Sequence, residues 1–164
     1  MTILEDDLSS DKGVDYQKLR DLLKEGNWRE ADRETLAVMI KVAGEDLSWL
    51  DIESINNFPC IDLRTTDQLW VKYSNGRFGF SVQKRIWETF TDKSGEWDYT
   101  IYQKFGDRVG WYVRQKEYWK NYEDLTFSQN APFGHLPARF LMRVLVIERA
   151  GCAELFSRIE TCKI

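Results

Sequence analysis

Residues 57–84 read NFPCIDLRTTDQLWVKYSNGRFGFSVQK, and this central stretch predicts two helices joined by a polar turn. The first helix is predicted to begin at Asp62 or Thr65 and to run to about Tyr73, because the proline near the start of the stretch disfavours helix just before it. Residues 74–79 contain serine, asparagine and two glycines, which are typical turn residues. The stretch therefore indicates helices on both sides of a turn.

Four aromatic side chains crowd around this turn, namely Trp70, Tyr73, Phe78 and Phe80. Wide, flat side chains with few rotatable bonds stabilise protein cores, and they also line binding sites for flat aromatic ligands. The whole chain holds seven tryptophans, which is many for 164 residues. The residues alone leave both roles open for the four aromatics.

A helical hairpin is predicted upstream of the central stretch. Its first helix begins near Asp15 and ends at Gly26, since apolar residues between them recur at helical spacing. Asn27 is the predicted cap of the second helix, and Glu30 three residues later completes a capping-box pattern. Gly44 closes the second helix. Because Asn27 directly follows Gly26, the two helices are joined by a very short turn.

Short helices and long loops are predicted for the rest of the chain. Ser81 is the predicted cap of the helix after the central turn. Apolar spacing predicts helices at residues 49–55, 82–90, 98–106 and 138–149, and a last helix after Gly151. Loops are predicted at residues 91–97 and 127–137, while residues 111–122 fit neither the helical nor the strand period.

These patterns predict an all-α protein. We expect a single cupped domain of short helices with long irregular loops over residues 15–164, preceded by a flexible acidic leader at residues 1–14.

The composition indicates a soluble globular protein. Charged residues make up 30% of the chain and hydrophobic residues 43%, which excludes a disordered polyelectrolyte and a membrane protein. The net charge of -4 argues against nucleic-acid binding through phosphate neutralisation, although a local cationic patch stays open. The N-terminus lacks a positively flanked apolar signal, so we expect a protein of the cytoplasm or its equivalent.

The three cysteines are predicted to be buried thiols. Cys60, Cys152 and Cys162 are odd in number and show no CxxC spacing, so the sequence indicates neither a disulfide framework nor a zinc site.

The single histidine, His135, is the main opening for catalysis. No serine or cysteine stands beside it, and the sequence has no phosphate-binding loop and no HExxH motif. Its neighbours Gly134 and Pro137 favour a fixed turn in which the ring hydrogen-bonds backbone groups. A haem-ligand role and a triad assembled in space stay open. We expect a non-catalytic protein without metal ligands.

Two arginines follow the GHLP segment. Arg139 and Arg143 are four residues apart and therefore share one helix face, where two guanidinium groups could clamp carboxylates. Ordinary solvated arginines are the alternative.

Three motifs together resemble the genomes-uncoupled regulators, which are porphyrin-binding activators of magnesium chelatase. The motifs are GNWREADRET at residues 26–35, the central stretch, and APFGHLP at residues 131–137. The resemblance covers residues 16–137, with a weaker echo at residues 155–162. It implies a cupped all-α fold that binds protoporphyrin IX or magnesium-protoporphyrin IX on its concave face without transforming it.

The resemblance also implies which residues contact the ligand. Val71 and Phe80 would form part of the apolar floor of the cup. Trp119, Arg139 and Arg143 would come from the mobile loop around the last motif.

Regulation of magnesium chelatase in chlorophyll biosynthesis is a further implication, with a chelatase subunit as partner in the cyanobacterial cytoplasm or the plastid stroma. Peripheral membrane association and the oligomeric state stay open.

Longer family members place a helical bundle before this domain, whereas a short acidic leader stands here. The run FLMRVLVIERAG at residues 140–151 is more apolar than the family's loop, which keeps a haem- or bilin-binding sensor, or a protein-interaction module, as alternatives.

Overall fold

Helices make up most of the computed structural model, which describes residues 5–44, 50–91, 98–147 and 151–164. The elements in these ranges are α1 (Gln17–Lys24), α2 (Trp28–Ala43), α3 (Ile52–Asn56), α4 (Cys60–Tyr73), α5 (Phe80–Glu88), α6 (Tyr99–Val109), β1 (Tyr112–Val113), β2 (Tyr118–Trp119), a 3-10 turn (Tyr122–Asp124), α7 (Arg139–Ile147) and α8 (Gly151–Thr161). The predicted all-α class is confirmed. None of the helices in these ranges is long and apolar enough to cross a bilayer.

The predicted hairpin of α1 and α2 is confirmed, with its turn at Gly26. This glycine has a φ of +72°, and the next residue, Asn27, donates its backbone N–H to the Leu22 carbonyl at 2.9 Å, which closes α1. The predicted capping box is wrong, because the Asn27 side chain makes no capping hydrogen bond. The Glu30 carboxylate instead accepts a hydrogen bond from Arg33 Nη1 at 2.7 Å.

Both helices of the central stretch begin earlier than predicted. Helix α4 begins at Cys60, and Asp62 lies inside its first turn. Helix α5 begins at Phe80, so Ser81 is not its cap. The Asp67 carboxylate of α4 accepts a hydrogen bond from the backbone N–H of Ser81 at 2.8 Å. A side chain from a different helix thus satisfies the start of α5, and no local pattern marks it.

The described part of the predicted leader, residues 5–14, packs against α4. Asp62 accepts a hydrogen bond from the backbone N–H of Asp11 at 2.9 Å. Tyr73, at the other end of α4, donates its hydroxyl to Asp6. These polar groups find partners 51 and 67 residues further along the chain, whereas the flexibility of the leader stays a prediction.

Three of the four aromatics around the central turn belong to the core. Trp70, Phe78 and Phe80 are each 0% exposed. The ring of Trp28 stacks on Trp70 with centroids 6.1 Å apart and meets Phe78 edge-on at 5.4 Å. Trp70 donates its indole N–H to Thr35 Oγ1 at 2.9 Å, so its polar atom is satisfied inside the core.

Two of the cysteines form a disulfide, so the prediction of three buried thiols is wrong for this pair. Cys60 at the start of α4 is bonded to Cys162 just after α8, with their Cα atoms 5.3 Å apart. Arg158 Nε of α8 donates to the Phe58 carbonyl at 2.9 Å, which holds the two regions together. The partners are 102 residues apart in sequence, and only the tertiary fold brings them together. Cys152 is a free, buried thiol, as predicted.

The C-terminal half agrees with most of the remaining predictions. Helices α6, α7 and α8 are confirmed, although α6 runs on to Val109 and Gly151 is the first residue of α8. The segment that fitted neither period forms an antiparallel β-hairpin with Tyr112 opposite Trp119. Parts of four predictions lie outside the described residues, namely those on residues 1–4, residue 49, residues 92–97 and residues 148–149.

The central turn and the loop before α7 are hydrogen-bonded to each other. Gly79 donates its N–H to the Leu136 carbonyl at 3.0 Å, and Gly134 donates its N–H to the Arg77 carbonyl at 2.9 Å. Gln83 of α5 donates to the Gly134 carbonyl at 2.9 Å. These bonds fix the position at which the loop joins α7.

Candidate functional site

An open groove of about 850 Å³ lies between α6, the segment from β2 to the 3-10 turn, and α7. Its volume falls within the roughly 300–1,000 Å³ of small-molecule sites. The lining side chains are mainly aromatic or cationic: Tyr99, Tyr102, Trp119, Lys120, Asn121, Tyr122, Glu123, Arg139, Met142 and Arg143. The groove thus brings together three of the predicted ligand contacts, Trp119, Arg139 and Arg143.

Trp119 forms a flat wall of the groove. Its ring stacks on Tyr102 with centroids 4.4 Å apart and planes 28° apart, and it contacts Tyr112 at 5.0 Å. The indole N–H donates to the Tyr99 hydroxyl at 3.3 Å. The indole is therefore held in one orientation while part of its surface stays exposed.

Gly106 of α6 makes room for this indole. A Cβ atom at position 106 would lie 2.4 Å from two ring carbons of Trp119, a distance that no real side chain tolerates. The backbone of α6 and the ring of Trp119 are in direct contact because residue 106 is glycine. The helix predicted at residues 98–106 ended at this glycine, so no sequence signal marked the close approach.

Cationic groups stand on the α7 side of the groove. Arg139 and Arg143 lie one turn apart on α7, and the Arg139 guanidinium sits 4.7 Å above the Tyr122 ring. Neither arginine forms an ion pair with another described residue. Glu123, the carboxylate of the groove lining, is paired with Arg29 at 2.5 Å. The groove is therefore electropositive although the whole chain is acidic.

Asp32 of α2 positions the start of α7. Its buried carboxylate accepts hydrogen bonds from the backbone N–H groups of Ala138 at 2.8 Å and Arg139 at 3.1 Å. Burial raises the pKa of Asp32 to about 6, although these hydrogen bonds favour the charged form and act to lower it. The Tyr122 hydroxyl is also buried, and burial together with the nearby Asp32 charge raises its pKa.

Tyr99, Tyr102 and Tyr122 were not among the predicted site residues. Tyr99 and Tyr102 are three apart on α6 and thus share a face, a spacing that the sequence displayed. Tyr122 lies in a segment whose structure the sequence left open. Its place in the groove depends on the hairpin, which no periodicity revealed.

Val71 and Phe80 lie apart from the groove. Phe80 is fully buried and packs edge-on against Phe140 with ring centroids 6.1 Å apart. Val71 is half-buried and lines a separate depression of about 590 Å³ with Asp67 and Lys72. A role for these two residues as the floor of the ligand site stays a prediction.

Both ring nitrogens of His135 are occupied by backbone groups, as expected for a fixed turn. Thr126 donates its N–H to Nε2 at 3.0 Å, so Nδ1 carries the proton and donates to the Val109 carbonyl at 2.6 Å. Burial lowers the pKa of His135, which keeps the ring neutral. No group of three or more acidic, histidine or cysteine residues suited to a metal ion occurs in the described part of the chain.

The fold and the groove define an all-α protein with an open aromatic and cationic site, which suits a flat, anionic ligand. The chain belongs to the GUN4-like family, whose family model matches residues 9–152. This confirms the resemblance to the genomes-uncoupled regulators. The structure of GUN4 from Chlamydomonas reinhardtii superposes with a TM-score of 0.70 and 33% identity, covering 93% of this chain and 91% of that one.

Curated relatives agree with this family. The ycf53 protein of Porphyra purpurea is 35% identical over 133 residues, which are 79% of this chain and 52% of the relative. The chloroplastic tetrapyrrole-binding protein of Arabidopsis thaliana is 30% identical over 139 residues, which are 78% of this chain and 49% of the relative. The chain thus spans about half the length of the curated relatives it matches.

Proposed function

We propose that this chain binds a porphyrin-type tetrapyrrole in the groove between α6 and α7 and carries it without transforming it. The observation that supports the proposal most directly is a stacked indole, Trp119, facing the same groove as Arg139 and Arg143, which form no ion pair with another described residue. A tetrapyrrole macrocycle is flat and apolar, and its propionates are anionic. The groove offers a surface for each of these features.

The indole would contribute by burying macrocycle area. Burial of apolar surface contributes about 25 cal/mol per Å². The ring is already held by Tyr102 and Tyr99, so little side-chain entropy is lost when a ligand stacks on it.

The arginines would orient the ligand. A guanidinium group can donate two parallel hydrogen bonds to one carboxylate. Arg139 is held over the Tyr122 ring and is partly shielded from water, whereas Arg143 is exposed. We therefore expect Arg139 to contribute more than Arg143, because solvent screens an exposed pair.

The finer parts of the proposal rest on the family. They are binding of protoporphyrin IX or magnesium-protoporphyrin IX, regulation of magnesium chelatase in chlorophyll biosynthesis through one of its subunits, and a location in the cyanobacterial cytoplasm or plastid stroma. The occupied ring nitrogens of His135 favour a carrier over an enzyme, because they leave that residue without a free proton donor or acceptor.

An absorbance titration tests the binding. Purified protein is titrated against protoporphyrin IX, magnesium-protoporphyrin IX, haem and biliverdin, and the Soret or visible band shift is followed. Arg139→Glu should lower the affinity for the dicarboxylate porphyrins by at least about tenfold, since a charge-assisted hydrogen bond contributes about 1.5–3 kcal/mol. Lys24→Glu, an equal charge change at an exposed position of α1, is the control.

The outcomes separate the alternatives. A preference for haem or biliverdin would support a sensing role, and equal losses in the arginine and lysine variants would remove the arginines from the site. Phe80→Leu tests the predicted floor: an affinity loss without loss of stability would place the ligand near Phe80 and not in the groove. No saturable shift with any tetrapyrrole would refute the proposed function.

A further inference from the structure

A second concave surface lies between α5, the end of α6 and the loop before α7, and it shares no lining residue with the groove. Its volume is about 640 Å³, and Ile86, Pro132 and Phe133 supply its apolar wall. Phe133 is 54% exposed, the highest value among the large hydrophobic side chains that the structure describes. We refer to this surface as the Phe133 face.

The loop that carries Phe133 is held rigidly. Arg77 Nη1 donates to the Ala131 carbonyl at 2.9 Å, and the Arg77 carbonyl accepts from the Gly134 N–H at 2.9 Å. Gln83 donates to the Gly134 carbonyl at 2.9 Å from below. The residues on both sides of Phe133 are therefore anchored, and the exposed position of the ring follows from the fold and not from a loose loop.

Arginines surround this aromatic ring. The Arg77 guanidinium lies 4.3 Å from the Phe133 ring centroid, and Arg85 and Arg108 line the same depression. None of the three forms an ion pair with another described residue, and no acidic side chain is part of the lining.

Two carboxylates lie nearby without belonging to this lining. Asp67 has an electrostatic interaction with Arg85, but it is buried and bonded to the backbone of Ser81. Asp107 lines a neighbouring depression. The Phe133 face is thus a cationic and aromatic patch on a chain whose net charge is -4.

We propose that the Phe133 face binds an acidic segment of a partner protein, which places an apolar side chain against Phe133 and its carboxylates on the arginines. Guanidinium groups match carboxylates in a planar, two-bond geometry, and a desolvated aromatic ring flanked by arginine is the composition of interface hot spots. A protein segment fits better than a lipid surface because the face is concave and presents one exposed ring, which gives a flat bilayer little to contact.

A peptide selection tests this inference without knowledge of the partner. Random peptides displayed on phage are selected against the wild-type chain and counter-selected against Arg85→Glu/Arg108→Glu. We expect the surviving peptides to be rich in Asp and Glu around a Phe, Leu or Trp. Their affinity should fall about tenfold in the double variant and in Phe133→Ser, and stay within about twofold in Lys24→Glu.

Controls separate this inference from the proposed function. The Phe133-face variants should retain the wild-type helical circular dichroism and the wild-type porphyrin titration, because none of their residues lines the groove. Enrichment of peptides without acidic residues, or equal binding to wild type and double variant, would overturn the inference. The chain could instead bind vesicles rich in phosphatidylglycerol through the same arginines while no acidic peptides are selected. That result would overturn the inference in favour of a membrane surface.

Discussion

Replacing Asp32 with Asn should remove a defined part of the pH dependence of stability. Asp32 is fully buried, and burial raises its pKa to about 6 from the ordinary value of 3.8. The folded chain therefore holds this proton more tightly than the unfolded chain. The resulting stabilisation is present below about pH 4, is lost as the pH rises through about 6, and is absent at neutral pH.

The size of the effect follows from the two pKa values. They differ by about two pH units, and each unit corresponds to about 1.36 kcal/mol, so the full effect is about 3 kcal/mol. About half of it, roughly 1.4 kcal/mol, should be lost between pH 5 and pH 7.5. Asn keeps the shape of the side chain and one acceptor oxygen for the N–H groups of Ala138 and Arg139 but cannot titrate.

Urea unfolding followed by tryptophan fluorescence measures the effect at both pH values. Burial lowers the pKa of His135, which acts in the opposite direction near the same pH range. That contribution is common to both proteins and cancels in their difference. The free energy of unfolding of wild type relative to Asp32→Asn should fall by about 1.4 kcal/mol from pH 5 to pH 7.5. A constant difference, or a rise, would refute the assignment of a raised pKa to Asp32.

One further substitution tests the groove, and reduction tests the disulfide. Gly106→Ala should displace the indole of Trp119, because the new Cβ would lie 2.4 Å from its ring. Porphyrin affinity should fall about tenfold, whereas Lys104→Ala, an exposed change on the same helix, should leave it unchanged. Equal affinities of the two variants in titration would contradict this. Reducing the Cys60–Cys162 bond should lower the free energy of unfolding by about 2–4 kcal/mol in urea titrations, and the reductant should have no effect on a Cys60→Ser/Cys162→Ser variant.

Local signals account for what the sequence predicted well. The hairpin of α1 and α2 could be predicted because Gly26 adopts a positive φ that other residues disfavour, and because apolar spacing marks both helices. The cap of α5 could not be predicted, since Asp67 reaches Ser81 from another helix. The β-hairpin was missed because its strands are two residues long and carry no alternation.

The site shows the same division between local and long-range information. The spacing of Arg139 and Arg143 placed both on one face of α7, which is a local property. That Trp119 faces them depends on the contact between its ring and Gly106 on α6, which no sequence period encodes. The cationic Phe133 face likewise combines Arg77, Arg85 and Arg108 from three separate segments.

Two of the family motifs, residues 26–35 and the central stretch, support the two surfaces through core contacts and hydrogen bonds. Trp70 and Phe78 of the central stretch are fully buried and pack against Trp28 of the other motif. Arg77 of the central stretch anchors the loop that carries Phe133, and Asp32 of α2 accepts a hydrogen bond from the backbone N–H of Arg139 at the start of α7. Motifs made largely of core residues can therefore identify the family, while Trp119, Arg139 and Arg143 of the groove lie outside them. Substitutions in the motif should consequently change stability first and affinity second, whereas substitutions on the groove or on the Phe133 face should change affinity at nearly constant stability.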